Sequence, residues 1–175
     1  MEVESKYRSP GNERIEKALQ KLGARKIHEC SMEDIYYSHP GRDFAKTDES
    51  LRLRKMEGPS ELTYKGPRLK TGTARAREEI TLKLEDPLSA QRIVERLGFV
   101  EKIVIKKKRS SYLIDKLRVE VDDVDGLGEY VELELITEEP RRAESLIELA
   151  RTELGLERLE KRTYLEMLLE KDGLS

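Results

Sequence analysis

The sequence predicts an α+β protein built on a closed eight-stranded antiparallel β-barrel, with a charged interior and helices packed outside. Three observations predict this fold class. Apolar and charged residues alternate with a period of two through most of the 175-residue chain, which is the pattern of β-strands. Turn-forming residues separate many of the alternating segments. Two halves of the chain show the same order of elements, and eight strands suffice to close a barrel without exposed edges.

The alternating segments predict strands at residues 2–8, 24–38, 50–57, 61–66, 73–85, 99–114, 117–124 and 129–137. Apolar residues recur with helical spacing at 12–22 and 88–97, and a glycine follows each segment as a helix stop. Two further helices are predicted over residues 141–154 and 158–171. The stretch His39–Glu49 contains proline, glycine and several charges, which predicts a mobile loop.

The length of the chain suits one domain with a hydrophobic core or two very small domains. Its two halves, residues 1–70 and 71–137, each follow the order strand–helix–strand–strand–strand. A helical pair at 140–172 comes after the second half. Because repeated halves of this kind can face each other in one barrel, we predict a single domain over residues 1–175.

Composition excludes several classes of function. Charged residues make up 40% of the chain, but 34 Lys and Arg nearly balance 36 Asp and Glu. This balance gives no net field toward nucleic acid or a membrane, and no apolar run approaches the roughly 20 residues of a membrane span. The N-terminus does not resemble a signal peptide, and the single cysteine, Cys30, cannot form an intrachain disulfide. We expect a cytoplasmic protein, and the excess of Lys, Glu and Arg over Asn and Gln favours a thermophilic source.

The charged residues of the alternating segments fall on one face of each predicted strand, and apolar residues such as Leu53, Val121 and Leu133 fall on the other. In an ordinary half-buried strand the charged face meets water. Here the apolar faces match the apolar stripes of the predicted helices, so helices outside the barrel would leave the charged faces inside. The charged set comprises Glu2, Glu4, Lys6, Arg52, Arg54, Lys65, Arg75, Arg77, Glu79, Lys107, Arg109, Arg118, Glu120, Asp122, Glu132 and Glu134.

A charged interior is costly unless its charges pair with one another or bind ions and a ligand. The set contains acidic and basic residues in similar numbers, a mixture that suits a negatively charged substrate together with a divalent metal. Arg and Lys bind phosphate oxygens, whereas carboxylates supply the oxygen ligands that Mg²⁺ prefers. Glu2-x-Glu4 and Glu132-x-Glu134 each place two carboxylates on one strand face. These features favour electrostatic positioning of a phosphate substrate.

Several short motifs follow one another along nearly the whole chain. They are Glu2-Val3-Glu4-Ser5-Lys6, Asp34-Ile35-Tyr36-Tyr37, Leu51-Arg52-Leu53-Arg54, Thr63-Tyr64-Lys65-Gly66-Pro67, Arg77-Glu78-Glu79, Lys107 through Tyr112, Asp122 through Glu134, and Tyr164 through Leu168. In this order they resemble the motifs of the CYTH family, which is named for class IV adenylyl cyclase and thiamine triphosphatase. The first is similar to the family's E-x-E-x-K signature, with Ser5 where an aliphatic residue is common, and the pattern is closest to the class IV adenylyl cyclase branch.

The resemblance implies a role for each group of motif residues in a triphosphate tunnel. Basic residues would bind the triphosphate, acidic residues would hold Mg²⁺ or Mn²⁺, and no residue is assigned as a catalytic base. The implied substrate-binding residues are Lys6, Arg52, Arg54, Lys65, Lys107 and Arg109, the implied metal ligands are Glu2, Glu4, Glu132 and Glu134, and the implied supporting residues are Glu79, Asp122 and Arg77.

The resemblance leaves three functions open. A class IV adenylyl cyclase-like enzyme would convert ATP to cyclic AMP and pyrophosphate. A hydrolase would act on tripolyphosphate, thiamine triphosphate or a nucleoside triphosphate. A non-catalytic protein would bind polyphosphate or nucleotide, although such a binder has little use for the full acidic set. The oligomeric state is also open, and a homodimer is among the alternatives.

Other signals have simpler interpretations. The run Lys106–Arg109 resembles a nucleic-acid patch, but alternation sends two of its four residues to the interior face. His28 and His39 lack the spacing of zinc ligands. Tyr164 and Met167, in the last predicted helix, are interpreted as core contacts rather than substrate contacts.

Overall fold

The computed structural model of the protein describes residues 2–67, 78–137 and 140–173, without the side chains of Glu2 and of residues 140–142. The strands in this part of the chain are β1 (Glu2–Arg8), β2 (Arg25–Ser38), β3 (Ser50–Met56), β4 (Ser60–Lys65), β5 (Glu79–Leu84), β6 (Val100–Ile114), β7 (Leu117–Val124), β8 (Gly128–Ile136) and β9 (Leu159–Glu160). The helices are α1 (Asn12–Lys21), α2 (Phe44–Thr47), α3 (Pro87–Arg96), α4 (Pro140–Glu153) and α5 (Tyr164–Lys171).

The strands form a large antiparallel sheet in the order β5-β4-β3-β2-β6-β7-β8-β1-β9. The α+β class is confirmed, and the predicted strands and helices occur in the predicted order, with two unpredicted elements, α2 and β9, between them. Within the described ranges the sheet is open, with β5 and β9 at its edges. The closed eight-stranded barrel is therefore not confirmed. The first part of the strand predicted at 73–85 lies outside the described residues.

The described chain divides into two compact units. The first contains residues 2–30, 107–137 and 140–173, and the second contains residues 31–67 and 78–106. Because β2 and β6 each contribute residues to both units, the units differ from the two repeated halves of the sequence. The single domain over residues 1–175 stays a prediction.

In the first unit, helices cover the apolar face of the sheet. Ile15 and Leu19 of α1 pack in one cluster with Val119 of β7 and Leu133 of β8, and all four are fully buried. Helix α1 packs on β7, and α4 packs on β8 and β1. The period of two explains this arrangement, because every second residue of these strands is apolar and faces the helices. The intervening residues carry the charges.

In the second unit, α3 has the same role. Its buried residue Val94 packs with Ile35 of β2 and Leu53 of β3, which lie opposite each other across the two strands. The helix begins after Asp86, whose carboxylate accepts hydrogen bonds from two backbone N–H groups of the first turn. Proline at the first helical position has no N–H that would need a partner there. The predicted helix at 88–97 is thus confirmed with a shift of one residue.

The last helix differs from the prediction in where it begins. A helix was predicted from residue 158, but Leu159–Glu160 forms β9 against β1, and α5 begins at Tyr164. Thr163 and Glu166 form a capping box, in which each side chain accepts a hydrogen bond from the backbone N–H of the other residue. This T-x-x-E pattern is a sequence signal for a helix start.

The stretch His39–Glu49, predicted as a loop, contains the four-residue helix α2. Asp43 accepts hydrogen bonds from the backbone N–H groups of Ala45 and Lys46, which satisfies donors of the first turn. The mobility of this stretch stays a prediction. Of the helices in the described ranges, none has the length and apolar composition needed to cross a membrane.

Candidate functional site

Charged side chains of four strands meet in the first unit in a buried group, which we call the Arg109 cluster. Its members are Lys6 of β1, Lys107, Arg109 and Ser111 of β6, Glu120 and Asp122 of β7, Glu132 of β8 and Tyr164 of α5, and each is less than 10% exposed. Strand pairing brings them together, because Lys6 lies opposite Glu132 and Arg109 lies opposite Asp122. Apart from Ser111 and Tyr164, the cluster therefore consists of three cations and three carboxylates.

Arg109 lies at the centre of this cluster. Its Nε and Nη2 donate to the two carboxylate oxygens of Asp122, each at 2.6 Å, and Nη2 also donates to Glu132 Oε2 at 2.5 Å. The two parallel bonds to Asp122 form the bidentate geometry typical of guanidinium and carboxylate groups. Burial alone would lower the pKa of Arg109, but the charges of Asp122 and Glu132 raise it well above its ordinary value. The guanidinium is charged whenever the protein is folded.

Glu132 connects Arg109 to Lys6. The Lys6 Nζ lies 3.3 Å from Glu132 Oε1 and donates to the backbone oxygen of Arg162 at 3.2 Å. Burial raises the pKa of Glu132, but Arg109 and Lys6 outweigh burial and hold that pKa well below its usual range. Glu132 is therefore a carboxylate at neutral pH.

Tyr164 joins the cluster from α5. Its hydroxyl donates to Asp122 Oδ2 at 2.8 Å, and its ring centroid lies 3.9 Å from Lys6 Nζ and 5.0 Å from Lys107 Nζ. Burial, reinforced by the charges of Glu132 and Asp122, raises the pKa of Tyr164 well above its ordinary value. The hydroxyl thus stays protonated and remains a donor.

The sequence analysis interpreted Tyr164 and Met167 as core contacts, and this is correct for Met167 but incomplete for Tyr164. Met167 is buried, and its Sδ accepts a hydrogen bond from the Tyr130 hydroxyl at 3.6 Å, as a core contact would. Tyr164 is equally buried but lies among charged groups. No local pattern distinguishes the two residues, because only tertiary packing brings Tyr164 to the charged face of the strands.

The second unit holds its own polar group on β2, β3 and β4. Arg54 Nε and Nη2 donate to the two carboxylate oxygens of Asp34 at 2.6 and 2.7 Å, and Asp34 is almost fully buried. The two residues lie opposite each other in the β2–β3 pair. Asp34 therefore fixes the orientation of the Arg54 guanidinium.

Two other cations of this unit have weaker or more exposed partners. Arg52 Nη2 donates to Thr63 Oγ1 at 3.5 Å, and Arg52 Nε is buried without a hydrogen-bond partner among the described residues. Lys65 Nζ donates to Glu79 Oε1 at 2.8 Å. A buried donor without a partner is costly, so the Arg52 guanidinium has donor capacity that an anion could use.

The carboxylates predicted as metal ligands share one face of adjacent strands. Glu4 lies opposite Glu134 in the β1–β8 pair. Glu132 lies opposite Glu120, a carboxylate outside the predicted ligand set, in the β7–β8 pair. Like charges directly opposite each other are unfavourable, and carboxylate oxygens are suitable ligands for Mg²⁺ or Mn²⁺. Among the described residues, however, no three acidic, His or Cys side chains converge as a metal site. The carboxylate oxygens of Glu4, Glu132 and Glu134 are of the type that binds a divalent cation. The side chain of Glu2, the fourth predicted ligand, is not described by the structure.

The structure thus brings only some of the predicted site residues together. The Arg109 cluster contains Lys6, Lys107, Arg109, Asp122 and Glu132, whereas Arg52, Arg54, Lys65 and Glu79 lie in the second unit, and Arg77 lies outside the described residues. Sequence reasoning missed the contributions of Asp34, Ser111 and Tyr164. A signal for Asp34 existed, because alternation places it on the same face as Tyr36, but its pairing with Arg54 depends on strand register.

Comparison with known proteins finds relatives over nearly the whole chain. The family model for the CYTH domain matches residues 1–164. The chain is 35% identical to "Putative adenylate cyclase MJ0240" of Methanocaldococcus jannaschii over 95% of this chain and 98% of that protein. It is 31% identical to "Adenylate cyclase CyaB" of Aeromonas hydrophila over 93% of this chain and 86% of that protein. The solved structure of the PH1819 protein from Pyrococcus horikoshii is 36% identical, with a TM-score of 0.85, and the match covers 98% of this chain and 99% of that one.

Proposed function

We propose a function for this chain on the basis that it belongs to the CYTH family. In this proposal the protein binds a metal-complexed triphosphate and converts ATP to cyclic AMP and pyrophosphate. The family includes adenylyl cyclases and triphosphatases, and its enzymes generally depend on a divalent metal. In the proposed reaction the ribose 3′-oxygen of ATP attacks the α-phosphorus, and pyrophosphate leaves.

The observation that carries this proposal is the Arg109 cluster. Three cations and three carboxylates are buried together, although a buried ion network is often no more stable than apolar side chains of similar volume. A site that binds a polyanion together with a cation has a use for both signs of charge. Lys6, Lys107 and Arg109 supply the donors for phosphate oxygens, since charge-assisted hydrogen bonds are about twice as strong as neutral ones.

The basic residues of the second unit are proposed as further phosphate ligands. Asp34 holds the Arg54 guanidinium by two short bonds, which reduces the entropy that Arg54 would lose on binding an anion. Arg52 contributes the buried Nε described above, and Lys65 contributes an ammonium group. The closed barrel that would make these residues line a tunnel remains part of the proposal.

Glu2, Glu4, Glu132 and Glu134 are proposed to hold the divalent cation. A bound Mg²⁺ or Mn²⁺ would neutralise charge on the phosphate oxygens. Glu132 is held by Lys6 and Arg109 at the same time, so the carboxylate would link the metal to the phosphate-binding cations. Support for this assignment comes from the facing pair of Glu4 and Glu134, in which a cation would relieve like-charge repulsion.

Two related proteins named as adenylate cyclases support cyclisation as the reaction. A triphosphate hydrolase is the alternative, since the family includes triphosphatases and the same cations would bind the substrate while water replaced the ribose oxygen. The residues that would bind the nucleobase decide between the two reactions.

Product analysis with the full chain tests the proposal. The protein is incubated with ATP, tripolyphosphate or thiamine triphosphate in the presence of Mg²⁺ or Mn²⁺, and products are separated by chromatography. Cyclic AMP with pyrophosphate supports the cyclase, and orthophosphate identifies the hydrolase instead. Arg52→Ala should lower activity. Lys17→Ala, an exposed lysine of α1 paired with Glu13, should not. Absence of both product and triphosphate binding would overturn the proposed function, and tight binding without product would indicate a non-catalytic binder.

A further inference from the structure

The Arg109 cluster contains an aromatic side chain that is neither an acid nor a base at neutral pH. We propose that Tyr164 is a positioning residue, which holds Lys6, Lys107 and Asp122 in the arrangement that a triphosphate requires. The inference rests on the proposed function, and it assigns to α5 a role in substrate binding. It differs from a core-packing role, which would affect only stability.

The ring of Tyr164 lies close to two ammonium groups at once. Lys6 Nζ is 3.9 Å and Lys107 Nζ is 5.0 Å from the ring centroid. The negative face of an aromatic ring attracts a cation through its quadrupole, and this attraction leaves the charge of the cation intact. A carboxylate at the same position would neutralise that charge. The ring can therefore restrain both lysines and still leave them attractive to a phosphate chain.

The cations of the cluster differ in their distances to the carboxylates, and the two lysines lie farther from them than Arg109 does. Arg109 contacts Asp122 at 2.6 Å, whereas Lys107 Nζ remains 3.6 Å from Asp122 Oδ2 and Lys6 Nζ remains 3.3 Å from Glu132. The Tyr164 hydroxyl donates to the same Oδ2 atom of Asp122 at 2.8 Å. This neutral donor occupies part of the accepting capacity of Asp122. Loss of the hydroxyl would allow Lys107 to move closer to Asp122, where it would be less available to a phosphate.

The segment before α5 fixes Tyr164 in place. Thr163 caps the helix through the capping box with Glu166. The backbone oxygen of Arg162 accepts a hydrogen bond from Lys6, and the Arg162 guanidinium pairs with Glu160 and Glu170 at 2.6 and 2.7 Å. These bonds hold the residues on both sides of Tyr164, so the ring has little freedom to leave the cluster.

Two variants separate the hydroxyl from the ring, and a third supplies a matched control. Tyr164→Phe removes the bond to Asp122 and keeps the ring over the lysines, whereas Tyr164→Leu removes both. Tyr130→Phe deletes another buried phenol hydroxyl, on a ring whose centroid is 5.3 Å from that of Tyr164. That hydroxyl donates to Met167 Sδ rather than to the charged cluster. Binding of inorganic tripolyphosphate in the presence of Mg²⁺ is measured by calorimetry with each folded protein, beside kcat and KM for the substrate that is converted.

We expect Tyr164→Phe to weaken tripolyphosphate binding about 3- to 10-fold and Tyr164→Leu roughly 10- to 100-fold. Tyr130→Phe should change binding less than about 2-fold, although all three variants lose stability. The losses should appear mainly in KM. If both Tyr164 variants bind tripolyphosphate like the wild-type protein, Tyr164 is a core residue only and the inference is overturned. Because Tyr164→Phe preserves the ring, it keeps the test valid if Tyr164→Leu does not fold. If the wild-type protein itself does not bind tripolyphosphate or ATP, the proposed function and the inference fail together.

Discussion

Substitution of Arg109 by alanine should separate the two consequences of the buried charge cluster, stability and binding. The substitution leaves Asp122 and Glu132 buried; among the described residues, Lys107 lies 3.6 Å from Asp122 and Lys6 lies 3.3 Å from Glu132. Removing one partner of a buried ion pair costs about 3–5 kcal/mol, because the other charge stays out of water without compensation. Asp122 loses both bonds of 2.6 Å but keeps the Tyr164 hydroxyl. We therefore expect the free energy of unfolding to fall by about 3 kcal/mol, near the lower end of that range.

Arg52→Ala is the matched control, since Arg52 is also predicted to bind phosphate. Arg52 is half-buried, and its Nη2 donates a long hydrogen bond of 3.5 Å to the Thr63 hydroxyl. Because this bond goes to a neutral hydroxyl group rather than to a buried carboxylate, the stability change should stay within about 1 kcal/mol. Both variants should lose roughly 10- to 100-fold in affinity for tripolyphosphate. Urea unfolding monitored by circular dichroism gives the stability, and calorimetry gives the affinity.

The pH dependence of the same variant provides a second test. The depressed pKa of Glu132 means that its contribution to stability is present above the ordinary value of 4.5 and is lost as pH falls toward the lower folded-state pKa. Arg109→Ala removes the largest cause of that depression. The stability difference between variant and wild type should therefore shrink as pH falls below 4.5. A variant as stable as the wild-type protein at pH 7, or a difference that does not change below pH 4.5, would refute the assignment of a buried ionised network.

Four further predictions concern other parts of the site. Arg54→Ala should lower the free energy of unfolding by about 3 kcal/mol, because Asp34 stays buried without its cation. In urea unfolding, the Asp34→Ala/Arg54→Ala double variant should be more stable than the single variant, because the buried charge is then absent as well. Glu134→Gln should abolish metal-dependent turnover, and full activity at ordinary Mg²⁺ would contradict this. The melting temperature should not fall, because the substitution removes like-charge repulsion between residue 134 and Glu4 on the opposite strand. Lys65→Arg should lower kcat/KM although it keeps the charge, because a planar guanidinium does not replace an ammonium group; an unchanged value would argue against direct contact with phosphate. Replacement of all six charges of the Arg109 cluster by apolar residues of similar volume should abolish triphosphate binding and leave stability equal or higher by about 1–4 kcal/mol, as unfolding and calorimetry would report.

The sequence was sufficient to predict the strands and their faces because the period of two is a strong and local signal. The predicted strands at 2–8 and 117–124 agree with β1 and β7 residue for residue. The ends of the other predicted strands differ by at most one residue, apart from the start of the strand predicted at 73–85. Alternation also predicted that Val119 and Leu133 pack under helices, which the structure confirms. The same pattern would bury Ile80 and Leu82 of β5, but both are exposed in the structure. These features need no knowledge of which strand lies beside which.

The detailed pairing of charges could not be predicted, because it depends on strand register. Arg109 meets Asp122 only because β6 and β7 pair in one particular register, and a slip of one residue would send each side chain to the other face. The start of α5 was misjudged for a related reason. Leu159 and Glu160 become a strand through contact with β1, which is a tertiary effect, while the capping signal at Thr163 was present in the sequence.

The burial of the charged face is the feature that most restricts the function. An ordinary domain would place such residues in water, where Lys and Glu are stable without partners. Here Asp122 and Glu120 are almost inaccessible, and Arg109 is held by two carboxylates at once. Such a network contributes little to stability beyond what apolar side chains would give, so stability alone does not account for it. The proposed ligand, which carries several negative charges together with a metal, would give both halves of the network a use, because the cations would bind its phosphate oxygens and the carboxylates would bind its metal.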